Sequence, residues 1–164
     1  MDTINMKMLV AFDGSENSFK AINYVGGVAR NCAGCEIVLL YVERLPDKDL
    51  FSDDKSWKDQ CEKNEHDITI KLTEARKKLV SMGVSEEEVE VEYFASCKSP
   101  FHETDVCSTG RSIGMDILRL REEGGYGTIV IGRRGVSKAE EFLFGSVSTK
   151  VVQSAVDCTV WVVS

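Results

Sequence analysis

The sequence predicts an α/β protein: an open, five-stranded parallel sheet with helices on both faces, a Rossmann-like arrangement. Three observations predict it. Short apolar runs alternate with helix-period segments along the chain, in the order β-α-β-α-β-α-β-α-β. The first, second and fourth runs are apolar without interruption, as strands covered on both faces must be. The chain has 164 residues, the size of one domain around one core.

Each element has its own signal. Met8–Phe12 (MLVAF) is a short buried strand that stops at Asp13-Gly14-Ser15, a turn. Ser15 is a helix cap, and Phe19, Ile22, Val25, Val28 and Ala29 then recur at helical spacing until Asn31–Gly34. Ile37–Val42 (IVLLYV) is the second strand. Residues 43–63 are polar and mixed in charge, and read as a loop with a short helical turn near Trp57. Ile68, Leu72, Ala75, Leu79 and Met82 form one apolar stripe on the next helix, closed by Gly83.

Val89, Val91 and Tyr93 alternate with Glu90 and Glu92, which predicts a half-exposed third strand. A connection over 96–110, rich in Ser, Cys and Thr, leads to a helix marked by Ile113, Ile117 and Leu120 and stopped by Gly124-Gly125. Thr128–Ile131 is the fourth strand. Ser146 is the expected cap of a last helix carrying Val147, Val151, Val152 and Ala155, and Thr159–Val163 is the last strand. No repeat, low-complexity tract or internal boundary interrupts this order, so residues 1–164 read as a single domain.

Composition narrows the function. The formal net charge of −7 disfavours nonspecific nucleic-acid binding, which needs many Lys and Arg on one face. No apolar run approaches the roughly 20 residues that span a bilayer. The first fifteen residues lack the pattern of a secretory leader, and a cytoplasmic setting is the expectation. The six cysteines are irregularly spaced in a chain large enough to fold without staples, so reduced thiols are expected, with Cys158 a small core residue. Cys32 and Cys35 have C-x-x-C spacing but sit at a helix end, where the dipole does not favour a thiolate. They read as ordinary loop cysteines. Cys97, His102 and Cys107 are too widely and sparsely spaced for a zinc site. No metal ligands and no catalytic residues are assigned, and neither His66 nor His102 lies beside a predicted site loop.

In a parallel sheet of this kind ligands bind beyond the carboxyl ends of the strands. Three loops matter: Ala11–Ser15, Val42-Glu43 and the stretch from Gly132. That stretch, GRRGVSKAEEFLFGSVS, is punctuated by Gly132, Gly135 and Gly145 and carries Arg133, Arg134 and Lys138. Glycines let backbone N–H groups approach an anion, and the start of a helix favours one. Ser146 and Ser148 add hydroxyl donors. The same glycines also suit a tight strand-to-helix loop with solvated arginines, and the residues alone leave both readings open. There is no P-loop and no G-x-G-x-x-G turn, which argues against P-loop NTPases and nicotinamide enzymes.

The spacing Gly132, Gly135, nine residues, Gly145-Ser146 resembles the nucleotide-binding branch of the universal stress proteins. VAFDGS, LLYV and VSTKVVQSA extend the resemblance over nearly the whole chain. It implies a five-stranded α/β fold of the adenine nucleotide alpha hydrolase type and a homodimer, here through Thr159–Val163. It implies a stress-response regulator that binds ATP or another adenine nucleotide, with Mg or Mn, and hydrolyses it slowly at most. On this resemblance Ala11 and Asp13 lie near the adenosine and Val42 contacts adenine. Gly132, Arg133, Arg134, Gly135, Val136, Ser137 and Lys138, with Gly145, Ser146, Val147 and Ser148, hold ribose and phosphates. Any signalling partner is unspecified; nucleic acid and membrane are not expected as partners. Tyr126-Gly127-Thr128 and Cys158-Thr159 depart from the family's usual residues, and 96–109 is longer than usual. Two alternatives stand beside this reading: a phosphate- or adenylate-transferring enzyme that uses Asp13 in the same pocket, and an interaction module without a nucleotide.

Overall fold

Five parallel strands run in the order β3-β2-β1-β4-β5 in a computed structural model that describes residues 5–133 and 145–164. The strands are β1 (Met8–Ala11), β2 (Ile37–Val42), β3 (Val89–Phe94), β4 (Thr128–Gly132) and β5 (Thr159–Val163). The helices between them are α1 (Glu16–Ala29), α2 (Asp54–Ser81), α3 (Ile113–Gly124) and α4 (Ser146–Ser154). The predicted fold class is what the chain adopts.

Successive strand residues point to opposite faces, so each apolar run feeds two cores. Val10 and Leu39 pack with Ile22, Val25, Leu72 and Leu79 under α1 and α2. Leu9, Leu40 and Ile129 pack with Ile117, Leu120 and Val151 under α3 and α4. The central pairings set Ala11 opposite both Leu40 and Ile131, which brings the carboxyl ends of β1, β2 and β4 level. β3 forms one edge; Val89 is buried, but Val91, two residues on and on the same face, is exposed, so the alternation read in the sequence does not become one evenly buried face.

The largest departure from expectation is α2. The loop expected over 43–63 ends early, because the helix begins at Asp54, well before Ile68. Asp53 caps it by accepting the Ser56 N–H at 2.7 Å. The early turns bury only Trp57 and Cys61, four residues apart, and Ile68 follows two turns later on the same stripe. The Trp57 indole N–H donates to the Pro46 carbonyl at 2.9 Å and ties the preceding loop down. A smaller correction concerns α4: Gly145, not Ser146, is its cap, and Ser146 is the first helical residue.

The cysteines are the second correction. Instead of reduced thiols, the structure pairs Cys32 with Cys35 and Cys97 with Cys107; Cys61 and Cys158 are free. Both pairs have Cα atoms within bridging range, at 5.9 and 5.0 Å. The second pair staples the long connection, where Ser96 and Ser108 already form a parallel bridge and the Cys97 N–H donates to the Ser108 carbonyl at 2.8 Å. Bonded cysteines also leave no thiolates for the metal cluster weighed at Cys97, His102 and Cys107. The bridge spans a separation of 10 residues. Losing a bridge that closes so short a loop should cost about 2–3 kcal/mol. Urea unfolding under non-reducing conditions should therefore give Cys97→Ser a lower midpoint. An unchanged midpoint would mean the pair is not bonded in the native protein.

Candidate functional site

The order β3-β2-β1-β4-β5 reverses direction at β1, so the crevice between the carboxyl ends of β1 and β4 is where a ligand fits. A cavity of about 300 Å³ opens there. Of the sequence-predicted residues, Ala11, Asp13, Val42 and Gly132 line it from the strand ends. Gly145, Ser146, Val147 and Ser148 line it from the start of α4. Arg133 follows β4 directly, and its N–H donates to the Val163 carbonyl at 2.6 Å, extending the β4–β5 ladder. Arg134, Gly135, Val136, Ser137 and Lys138 lie outside the described residues.

Local chemistry explains how the first loop is held. Asp13 Oδ1 accepts the Ser15 N–H at 3.0 Å, and Gly14 has φ of +76°, a left-handed turn that suits glycine. Ser15 then caps α1, accepting the Ser18 N–H at 3.2 Å, while the Ser18 hydroxyl donates back to the Ser15 carbonyl at 2.8 Å. The turn therefore positions Asp13 at the rim through its own backbone.

The start of α4 differs from the other α-helix starts. Ser15, Asp53 and Ser112 each supply a side-chain acceptor to the first turn of their helices. Gly145 has no side chain to do so, and no side-chain cap bond forms there. Its carbonyl accepts the Thr149 N–H at 2.9 Å and the Ser148 hydroxyl at 3.3 Å. The first-turn N–H groups of α4 lie at the cavity end of the helix and receive no side-chain cap from Gly145, an arrangement that suits an anion.

Sequence reasoning missed the rest of the lining. Leu40, Ile113, Ile117 and Ile131 make an apolar wall, and Tyr41 and Arg44 stand at the edge. Ile113 and Ile117 carried a signal only as core positions of α3; the helix uses the same face for both purposes. Arg44 stands two residues beyond the end of β2, the kind of position the strand-end rule points to. Burial, with help from the neighbouring Glu43, holds the Tyr41 phenol above its ordinary range, partly offset by the Arg44 backbone N–H. It stays neutral at any physiological pH and can only donate or accept a hydrogen bond.

Among the described residues no group of three or more His, Cys, Asp or Glu side chains is placed to hold a metal ion. Among them, too, no helix is long and apolar enough to cross a membrane. His66 is exposed on α2. His102 stacks on Tyr93 with ring centroids 5.2 Å apart and contacts Glu65 at 2.9 Å, on the side of the sheet's β3 edge.

A model of the universal stress protein family matches residues 5–164. A search of curated protein sequences finds no match. Among solved structures, a universal stress protein from Archaeoglobus fulgidus aligns with a TM-score of 0.65 at 19% identity, covering 98% of this chain and 95% of that one. Another from Archaeoglobus fulgidus, solved in complex with dAMP, aligns at 0.61 and 18% identity, covering 99% of this chain and 100% of that one. A third, solved in complex with cAMP, aligns at 0.64 and 17% identity, covering 98% and 97%.

Proposed function

The chain belongs to the universal stress protein family, and from that premise we propose that it binds an adenine nucleotide, ATP first among them, in the cavity at the ends of β1, β2 and β4. The observation that carries this reading is the junction of an apolar-walled cavity with the uncapped first turn of α4. An adenine ring needs an apolar slot with a few polar partners, and its phosphates need N–H donors and cations. The structural neighbours solved with dAMP and cAMP lend support, since both ligands are adenine nucleotides.

In this reading the backbone of Val42 meets the base, and Ala11 and Asp13 lie beside the adenosine. Gly132, Arg133, Gly145, Ser146, Val147 and Ser148 hold ribose and phosphates, joined by Arg134, Gly135, Val136, Ser137 and Lys138 on the strength of the sequence motif alone. A magnesium or manganese ion would travel with the triphosphate, bound mostly by phosphate oxygens and water, as such ions are in phosphate sites. Asp13 is the carboxylate of the lining that could meet it. The protein then acts as a single-domain cytoplasmic regulator of the stress response that senses a nucleotide and hydrolyses it slowly at most. Calorimetry with ATP and Mg²⁺ tests this reading: one equivalent should bind per chain, and a flat isotherm for both ATP and AMP would sink it.

The homodimer forms through β5 in the same reading. β5 is an edge strand, and an apolar edge invites pairing with another strand. Beside it Val152, Val156 and Tyr24 are 46%, 69% and 52% exposed, and Tyr24 packs edge-on against Trp161. A charge on this edge should block pairing. Val162→Glu should sediment as a monomer at concentrations where the wild type is a dimer. A wild-type monomer, or a Val162→Glu dimer, would remove β5 as the interface.

A further inference from the structure

Beyond the first cavity, and sharing its lining at Arg44, Ile113, Ser146 and Val147, lies a second and larger one of about 550 Å³. Three cations line it: Arg44 after β2, and Lys98 and Arg111 at the two ends of the 96–111 connection. All three are exposed, and among the described residues none of them has a carboxylate within ion-pair distance. Glu43 also lines this cavity, but both its oxygens are engaged. Oε2 accepts the Ser96 N–H at 2.7 Å and Oε1 accepts the Ser99 hydroxyl at 3.2 Å.

The cations are mounted on a braced loop. Ser96 is buried and accepts the Lys98 N–H at 3.2 Å. Ser108 is fully buried, donates to Asp116 at 2.6 Å and accepts the Gly110 N–H at 3.1 Å. The Cys97–Cys107 bridge closes the base of the loop between the two. Lys98 and Arg111 both line this one cavity.

We propose that this second cavity, walled by Arg44, Lys98 and Arg111, is a binding site for a polyphosphate anion. Three cations against one carboxylate, Glu43, leave a positive excess in a concave space, which favours a multiply charged anion over a single phosphate. Polyphosphate has two sources. It can be the tail of a nucleotide that runs past Ser146 and Val147, the lining that both cavities share, or a free inorganic chain. None of the three cations belongs to the glycine-spaced stretch, so this site does not depend on the nucleotide reading.

The test is calorimetry at low salt with inorganic tripolyphosphate on the full chain and on Arg44→Gln/Lys98→Gln/Arg111→Gln. The wild type should take up tripolyphosphate at a site the triple variant lacks, read as the loss of one equivalent or at least tenfold weaker binding. Lys20→Gln/Lys48→Gln/Lys58→Gln removes the same charge from exposed helix and turn positions and should bind like wild type. Equal isotherms for wild type and the first triple variant, or equal loss in both triple variants, would overturn the site. Circular dichroism melts establish that each variant is folded. A second titration separates the sources: adenosine 5′-tetraphosphate binding at least tenfold tighter than ATP to wild type alone identifies the nucleotide tail, and equal affinities identify the free chain. The nucleotide proposal fails separately, through loss of ATP and AMP binding while tripolyphosphate still binds.

Discussion

Gly132→Ala is expected to destabilise the protein by about 3 kcal/mol, the upper end for a forced overpacking. A Cβ at Gly132 would lie 2.5 Å from both the carbonyl carbon and oxygen of Asn17 and 2.8 Å from the Ser18 nitrogen. All three are backbone atoms of the first turn of α1, held by the Ser15 cap, so no side chain can swing aside. The end of β4 and the start of α1 must separate instead. A loss of that size lowers the melting temperature of a chain this long by roughly 6–12 °C. Gly27 is the internal control, because a Cβ there meets nothing within 4 Å. Gly27→Ala in α1 should raise stability by roughly 0.5–1 kcal/mol. A Gly132→Ala melt that coincides with wild type would show that the contact relaxes at no cost.

That prediction gives Gly132 a reason independent of any ligand. Sequence reasoning placed the glycine at a phosphate cradle. The structure adds that the β4–α1 junction admits no side chain there, so the close packing of strand and helix itself shapes one wall of the cavity.

The strands were legible because both of their faces are covered, which makes them continuous apolar runs. The strand-end rule then located the cavity, since Ala11, Val42 and Gly132 close β1, β2 and β4. The start of α2 was not legible. Trp57 and Cys61 are the only side chains its early turns bury, and two turns separate Cys61 from Ile68. The disulfides were illegible for a different reason. Cys97 and Cys107 are brought together by the Ser96–Ser108 bridge, a long-range pairing that residue spacing does not encode. Arg44 and Lys98 escaped notice because a charged loop residue reads as solvated until the fold shows which cavity it borders.

Ala11→Leu is the substitution expected to separate fold from ligand most cleanly. Ala11 follows Leu9 on the α3–α4 face of β1 and packs, partly buried, against that core. It also lines the cavity, together with Ile113 and Ile117. A larger side chain at this lining position therefore has the cavity to extend into. Filling it with apolar carbon should leave the melting temperature unchanged or slightly raised, as cavity-filling changes do. The same carbon occupies the volume that adenosine needs. ATP and adenosine should each bind at least tenfold more weakly, a loss of about 1.4 kcal/mol or more. Tripolyphosphate binding should persist, because Ala11 does not line the second cavity. Lys98→Gln/Arg111→Gln, at two positions that line only the second cavity, should show the reverse: adenosine retained, tripolyphosphate weakened. If Ala11→Leu binds ATP like wild type, the nucleotide sits elsewhere. If both variants lose both ligands together, the two cavities act as one site.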